Sequence, residues 1–470
     1  MRDDCHMGSS RPLISIMSYR SITRLIQIIS YILLIRLIEP SQLGEYVFIL
    51  AVISLFEVLV GDYLIISVIG AKTLQQEVVG KCLSFGTAVS IVFVILILPL
   101  NSIFDNYLIF IMSLTLLFRP YNSLAEGLLT REFELSRLGF REMTAALAAN
   151  LVVLLLFLLS VDEYLYLYAR YVFGKAFLFI SHAVDRKIRF VNPLPIHSFL
   201  SFLAPGFRKL SSNLLEAYTS KIDDLIIGQS ISRSNLAVYE IGFQFPQTFR
   251  TLTIGSIFGY IVGVYRKLDL PSIGKFYVHV GLLSSIAATG FLWTMLICGM
   301  PLIEFLFGHE YRDSYLITLA VSFSLSVRFM ALSNLPLLVS RARSKGTIEI
   351  SLLSAIFATI LYLYGSRGGI QQIANFSVAV ALLYYAHSSV VCSRYDLIQP
   401  FHWLKVLAVY SIFTIPAALF AVQSDLFSPG LTLISYILVL AYISVHMRSR
   451  ESKITFSKVR RLTNASENRE

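Results

Sequence analysis

Apolar runs of about 20 residues recur along almost the whole chain, each long enough to cross a bilayer core of roughly 30 Å as a helix. Fourteen can be read, near 13–38, 46–68, 82–104, 107–129, 141–160, 163–182, 207–230, 236–264, 275–298, 314–339, 347–365, 370–391, 403–423 and 429–447. No hydrophilic stretch between them is long enough to fold as a separate soluble domain. Only 14% of the 470 residues are charged, against about 25% in soluble globular chains. The expected fold is therefore an all-α polytopic membrane protein. The first run is full length and carries Arg20 and Arg24, so it reads as a span rather than a cleavable signal. Met7 offers an alternative start.

The formal charge of +10 would suit nucleic acid, but placement argues for topology instead. With the N-terminus in the cytoplasm, the loops on that side and the C-terminal tail hold twenty-seven of the 39 Lys and Arg residues, and the opposite loops hold four: Arg36, Arg233, Arg312 and Arg367. Such a bias marks the cytoplasmic side of a membrane, and it puts both termini there. The longest cytoplasmic connection, 183–206, separates spans one to six (1–182) from spans seven to twelve (207–391). Two six-helix lobes around a central cavity are expected, followed by two additional spans in 392–447 and a basic tail, 448–470.

Eight basic residues remain inside the spans: Arg20, Arg24, Arg119, Arg170, Lys175, Lys221, Arg250 and Arg328. Facing lipid at mid-depth they would together cost about 20 kcal/mol on the insertion scale, more than the roughly 5–15 kcal/mol that holds a typical fold together. Most must face protein or water. The span acids are Glu57, Asp62, Glu126, Glu216, Asp223, Asp224 and Glu240, and of these only Glu57 and Glu216 fall near mid-span. The midplane is therefore cationic, which suits an anionic substrate headgroup. Helical spacing places Arg20, Arg24, Gln27 and Tyr31 on one polar stripe, Arg119, Asn122 and Glu126 on another, and Glu240, Gln244, Gln247 and Thr251 on a third. Arg119 with Glu126, and Lys221 with Asp224, could equally be internal pairs that only fix helix packing. The run YLYLYARYVF at 164–173 offers either ordinary packing or a platform for sugar rings.

Several segments carry a family resemblance. RLIEPSQLGEYVFILAVI (36–53), LTREFELSRLGFRE (129–142), KIDDLIIGQSISRSNLAVYEIGFQFPQ (221–247) and GMPLIEFLFGHEYRDS (299–314) resemble, in order and spacing, the polysaccharide transporter branch of the multidrug/oligosaccharidyl-lipid/polysaccharide exporter superfamily, and within it the bacterial O-antigen flippases. Ala237 stands where that family often has Gly. The resemblance implies alternating access between two lobes and an undecaprenyl-pyrophosphate oligosaccharide substrate. It further implies a place in the inner membrane and in lipopolysaccharide assembly, beside proteins such as the polymerase. Antiport driven by a proton or sodium gradient follows from it too. Asp224, Asp223 and Glu57 are the candidate coupling residues, because a carboxylate that alternates between a lysine and outside water changes its proton affinity. The eight cations inside the spans, six of them (Arg24, Arg119, Lys175, Lys221, Arg250 and Arg328) near mid-span, are the candidate substrate-binding set, since Lys and Arg give charge-assisted hydrogen bonds to phosphate.

Two other readings compete. A multidrug exporter of the same superfamily typically carries cationic drugs, which a basic cavity would repel. A membrane glycan polymerase needs a large outer loop, whereas the longest here lies around 299–313. The chain carries no Gly-rich nucleotide loop, Ser/His/Asp arrangement or HExxH, and the four cysteines (Cys5, Cys82, Cys298, Cys392) form no CxxC, so neither an enzyme nor a metal or cofactor site is expected. The topology makes a direct prediction. With native cysteines removed, Ser344→Cys should react only with membrane-permeant thiol reagents, and Ser314→Cys should be blocked by an impermeant reagent from outside. The reverse pattern, or identical behaviour, would contradict it.

Overall fold

The computed structural model describes residues 11–71, 74–104, 107–132, 134–185, 188–193, 197–341 and 343–423. All regular structure in these residues is helical. The helices follow the apolar runs closely because a backbone in lipid must satisfy its hydrogen bonds within the segment.

By packing, the chain divides into two compact units, 1–241 with 304–311, and 242–303 with 312–470. Packing keeps the helices of 197–241 with the first unit. That unit contains α1 (Arg11–Ile35), α2 (Pro40–Glu57), α3 (Tyr63–Gly70), α4 (Gln76–Phe104), α5 (Leu108–Ser113), α6 (Arg119–Arg131), α7 (Leu135–Leu158), α8 (Leu165–Asp185), α9 (His197–Thr219) and α10 (Ile222–Ser230). The division then falls inside α11 (Arg233–Lys267) and α12 (Leu270–Phe307). The second unit continues with α13 (Ser314–Met330), α14 (Asn334–Ser340), α15 (Ser344–Gly365), α16 (Ile370–Arg394) and α17 (Pro400–Gln423).

Several expected spans are broken helices. A π-turn at Val58–Asp62 joins α2 to α3 within one long apolar segment. A 3₁₀ turn at Leu114–Leu117 precedes a 41° bend into α6, where Pro120 removes a backbone donor in the first turn. By length and composition seven of the described helices can cross a membrane, or eight if that bent pair is one span. Helices α8 and α11 fall short of this measure, and they carry Arg170 and Lys175, and Glu240 and Arg250. Charge inside them lowers their hydropathy. The expected fourteenth span, 429–447, and the basic tail lie outside the described residues.

Loops expected on one side of the membrane bond to one another. Arg131 donates to the carbonyls of Val68 and Ala71, and the Val191 amide donates to Ser84 Oγ at 3.1 Å. On the opposite side Tyr107 and Tyr164 share a hydrogen bond of 3.0 Å, and Arg36 donates to the carbonyls of Phe305 and Leu306 at the end of α12. In the second unit Arg341 reaches the Leu268 carbonyl at 2.6 Å and Arg394 pairs with Glu349 at 2.7 Å. Strict alternation of loops between two ends produces this sorting.

The interiors of the units differ. In the second, α13 and α16 are buried nearly all round and joined through small polar side chains: Ser324 Oγ donates to the Ser377 carbonyl, Asn334 Nδ2 donates to Ser388 Oγ, and Ser326 bonds Tyr410. Small residues allow the close helix approach that membrane packing relies on. In the first unit α3, α6 and α9 close around Tyr63, Leu64, Tyr121, Leu124, Phe199 and Leu203. Gly206 brings α9 against the Tyr63 carbonyl and Ser67 so closely that a Cβ would overlap the α3 backbone. Gly206→Val should therefore cost about 1–3 kcal/mol through overpacking, read as a lower melting temperature of the purified protein. Unchanged melting would contradict this packing.

Candidate functional site

The π-turn builds the centre of the polar interior. In an α-helix, residues five apart lie about 140° from each other around the axis. The i→i+5 winding of a π-turn narrows that angle, and such turns recur at functional sites. Here it separates Glu57 from Asp62 and lets both meet cations on other helices. Glu57 accepts from Lys175 Nζ at 2.7 Å and from the Tyr171 hydroxyl at 2.9 Å, both on α8. Lys175 also lies over the Tyr171 ring, 5.3 Å from its centre. Asp62 accepts from Arg119 Nη2 of α6 at 2.6 Å. Between these two carboxylates sits Gly61, where a Cβ would collide with the Arg119 side chain and Ser123.

The sequence left Arg119 and Glu126 as a candidate pair. The structure gives Arg119 to Asp62 instead, while Glu57 and Glu126 act on it at longer range. A residue four positions from a lysine on one helix shares its face, so Tyr171 was detectable as a companion of Lys175. The π-turn left no such signal, because period counting assumes a regular helix.

A second cluster lies at the start of α10. Lys221 pairs with Asp224 at 2.8 Å, as its spacing allowed. Asp223 is buried, accepting from the Tyr239 hydroxyl at 2.8 Å and from the Asp224 amide at 3.1 Å. The buried Tyr46 of α2 lies within electrostatic reach of Lys221, Glu240 and Arg170.

The remaining candidates are spread out. Arg24 is exposed and donates to Gln27 at 3.1 Å, and the Arg20 side chain lies outside the described residues. Arg170 stands over the Tyr31 ring at 5.9 Å, so α1 and α8 join through the expected stripe. Arg250 and Arg328 are half-buried in the second unit, near the stacked rings of Phe249, Phe291 and Phe329 in sequence. The tyrosine run of α8 is largely committed internally: Tyr164 bonds Tyr107, Tyr166 bonds the Val161 carbonyl, Tyr168 packs edge-on against Tyr46, and Tyr171 bonds Glu57. A sugar platform along that run does not fit these contacts.

Long apolar helices with half-buried charge pairs between them define a polytopic helical membrane protein. The chain belongs to the polysaccharide biosynthesis protein family, whose pattern matches residues 33–316. No curated protein sequence matches it significantly. Among solved structures it is similar to the lipid II flippase MurJ in an inward closed conformation, at 12% identity and a TM-score of 0.69, covering 94% of this chain and all of that one. It is also similar to an inward-facing multidrug resistance MATE family transporter of the MOP superfamily, at 10% identity and a TM-score of 0.58, covering 86% of this chain and 98% of that one. A MATE transporter in complex with MaD5 matches at 12% identity and a TM-score of 0.56, covering 85% of this chain and 96% of that one. These likenesses establish the fold.

Removing one partner of a buried pair leaves an uncompensated charge, whereas replacing both with apolar or neutral groups is often tolerated. The Glu57–Lys175 pair is half-buried, so Lys175→Met should lower stability by about 1–3 kcal/mol, and adding Glu57→Gln should restore most of it. Thermal unfolding of the two variants checks this; additive losses would mean the pair is not coupled.

Proposed function

We propose that the protein is a flippase that moves an undecaprenyl-pyrophosphate-linked oligosaccharide, an O-antigen or related surface repeat unit, from the cytoplasmic to the outer leaflet of the inner membrane. The observation that carries this reading is the set of cations at mid-span in a chain of the polysaccharide biosynthesis family. A pyrophosphate-linked glycan must cross with its anionic headgroup sheltered and its polyprenyl tail in lipid. Lys and Arg offer the headgroup charge-assisted hydrogen bonds that lipid cannot. The likeness in fold to a protein titled a lipid II flippase supports the same direction.

The Lys and Arg bias of the loops supports a cytoplasmic position for both termini. Transport proceeds by alternating access, without enzymatic chemistry, in company with the polymerase that uses the exported unit. The fold is shared with multidrug transporters, but mid-span Arg and Lys repel the cationic drugs of such proteins. Coupling to a proton or sodium gradient runs through Asp224, beside Lys221, and through Asp223, with Glu57 next in line.

Reconstituted vesicles test both parts. The probe is a fluorescent short-chain polyprenyl-pyrophosphate N-acetylglucosamine, bleached from outside by dithionite. Wild-type vesicles should lose the inner-leaflet signal that empty vesicles protect, and an imposed proton or sodium gradient should accelerate the loss. Asp224→Asn should keep exchange and lose the acceleration. Equal protection in wild-type and empty vesicles would overturn the flippase reading.

A further inference from the structure

Among the cations inside the spans of the first unit, Arg24 is exposed on α1, and the others whose side chains are described fall into two kinds. Arg119, Lys175 and Lys221 each have a carboxylate oxygen within 2.8 Å. Arg170 has none. Among the described residues it forms no ion pair and no hydrogen bond, and its Nη1 is buried without a partner. Its surroundings are aromatic: the Tyr31 ring lies beneath the guanidinium at 5.9 Å, and the Tyr46 hydroxyl is within electrostatic reach. It lies five positions before Lys175 on α8, which turns the two side chains to different faces of that helix. Lys175 meets α2 at Glu57, while Arg170 meets α1 at Tyr31.

Arg170 is half-buried, and its enclosed nitrogen, Nη1, lacks the hydrogen bond that burial normally demands. Its guanidinium presents five donors in a planar fork suited to two oxygens of one phosphate, and it is less strongly hydrated than an ammonium. The cations already held by carboxylates can take a new anion only by giving up the old one. Arg170 needs no such exchange.

We propose that Arg170, backed by the Tyr31 ring and the Tyr46 hydroxyl, is the primary anion subsite of the first unit, taking paired phosphate oxygens of a pyrophosphate headgroup. This deepens the flippase reading and rests on it. The paired cations Arg119 and Lys175 then serve first as struts that hold α6 and α8 against the π-turn.

The test uses the full-length protein in detergent, with melting measured against inorganic pyrophosphate, farnesyl pyrophosphate and farnesol. Wild type should be stabilised by farnesyl pyrophosphate and not by farnesol. Arg170→Met should melt at or above the wild-type temperature without ligand, because no partner is orphaned, yet lose at least about tenfold in affinity for farnesyl pyrophosphate, as removal of a charge-assisted bidentate contact implies. Arg170→Lys should recover part of that loss. The neutral pair Glu57→Gln with Lys175→Met should lose less than Arg170→Met. A shift with farnesyl pyrophosphate alone assigns the subsite to a lipid headgroup, and equal shifts with inorganic pyrophosphate assign it to the anion itself; both support the proposal. Lower melting of Arg170→Met with affinity retained would make Arg170 structural and overturn the proposal. The reverse ordering of the two neutral variants would move the subsite to Lys175 and leave the flippase reading standing. No response of wild type to any pyrophosphate would overturn both.

Discussion

The contact between Glu57 and Lys175 is the point on which the interior of the first unit turns. A charge far from water in a bilayer must find a partner, face a hydrated cavity, or be absent. Glu57 sits where α2 gives way to the π-turn, and it joins that break to α8 through both Lys175 and Tyr171. One turn further, Asp62 holds Arg119 at the start of α6. The irregular backbone and the ion pairs support each other. Without the π-turn the two carboxylates would diverge, and without their cations they would be stranded in an apolar segment.

This arrangement bears on how a basic interior can be both stable and receptive. If every mid-span cation were open, mutual repulsion and desolvation would oppose folding. If every one were paired, an anionic headgroup would have to displace a carboxylate at each contact. The first unit combines the two conditions, with Arg119, Lys175 and Lys221 compensated and Arg170 set against tyrosines. Natural proteins commonly keep such destabilised groups where function needs them.

Most of the helical layout was legible in the sequence because apolar length and the backbone's need for internal hydrogen bonds leave few alternatives in lipid. The described helices fall on the expected runs from the first to the thirteenth, and alternating loops meet at common ends. The breaks were less legible. Pro120 hinted at weakness near Arg119, but the π-turn at Val58–Asp62 has no proline, and Gly61 there is one glycine among 25. Spacing along a single helix identified Lys221 with Asp224 and the Arg24, Gln27 and Tyr31 stripe. It could not identify Asp62 with Arg119 or Glu57 with Lys175, since those pairs join helices whose rotations are set by packing. The tyrosines of α8 looked available for sugars only because their partners lie elsewhere in the chain.

The central claim is that the carboxylate-held cations stay paired while the tyrosine-backed arginine receives the anion. A cryo-EM structure of the protein with a bound polyprenyl-pyrophosphate glycan tests it most directly. The account predicts phosphate oxygens within hydrogen-bond distance of the Arg170 guanidinium, with the Glu57–Lys175 and Asp62–Arg119 pairs intact. Phosphate density on Lys175 or Arg119, with Glu57 or Asp62 turned away and Arg170 uninvolved, would contradict it.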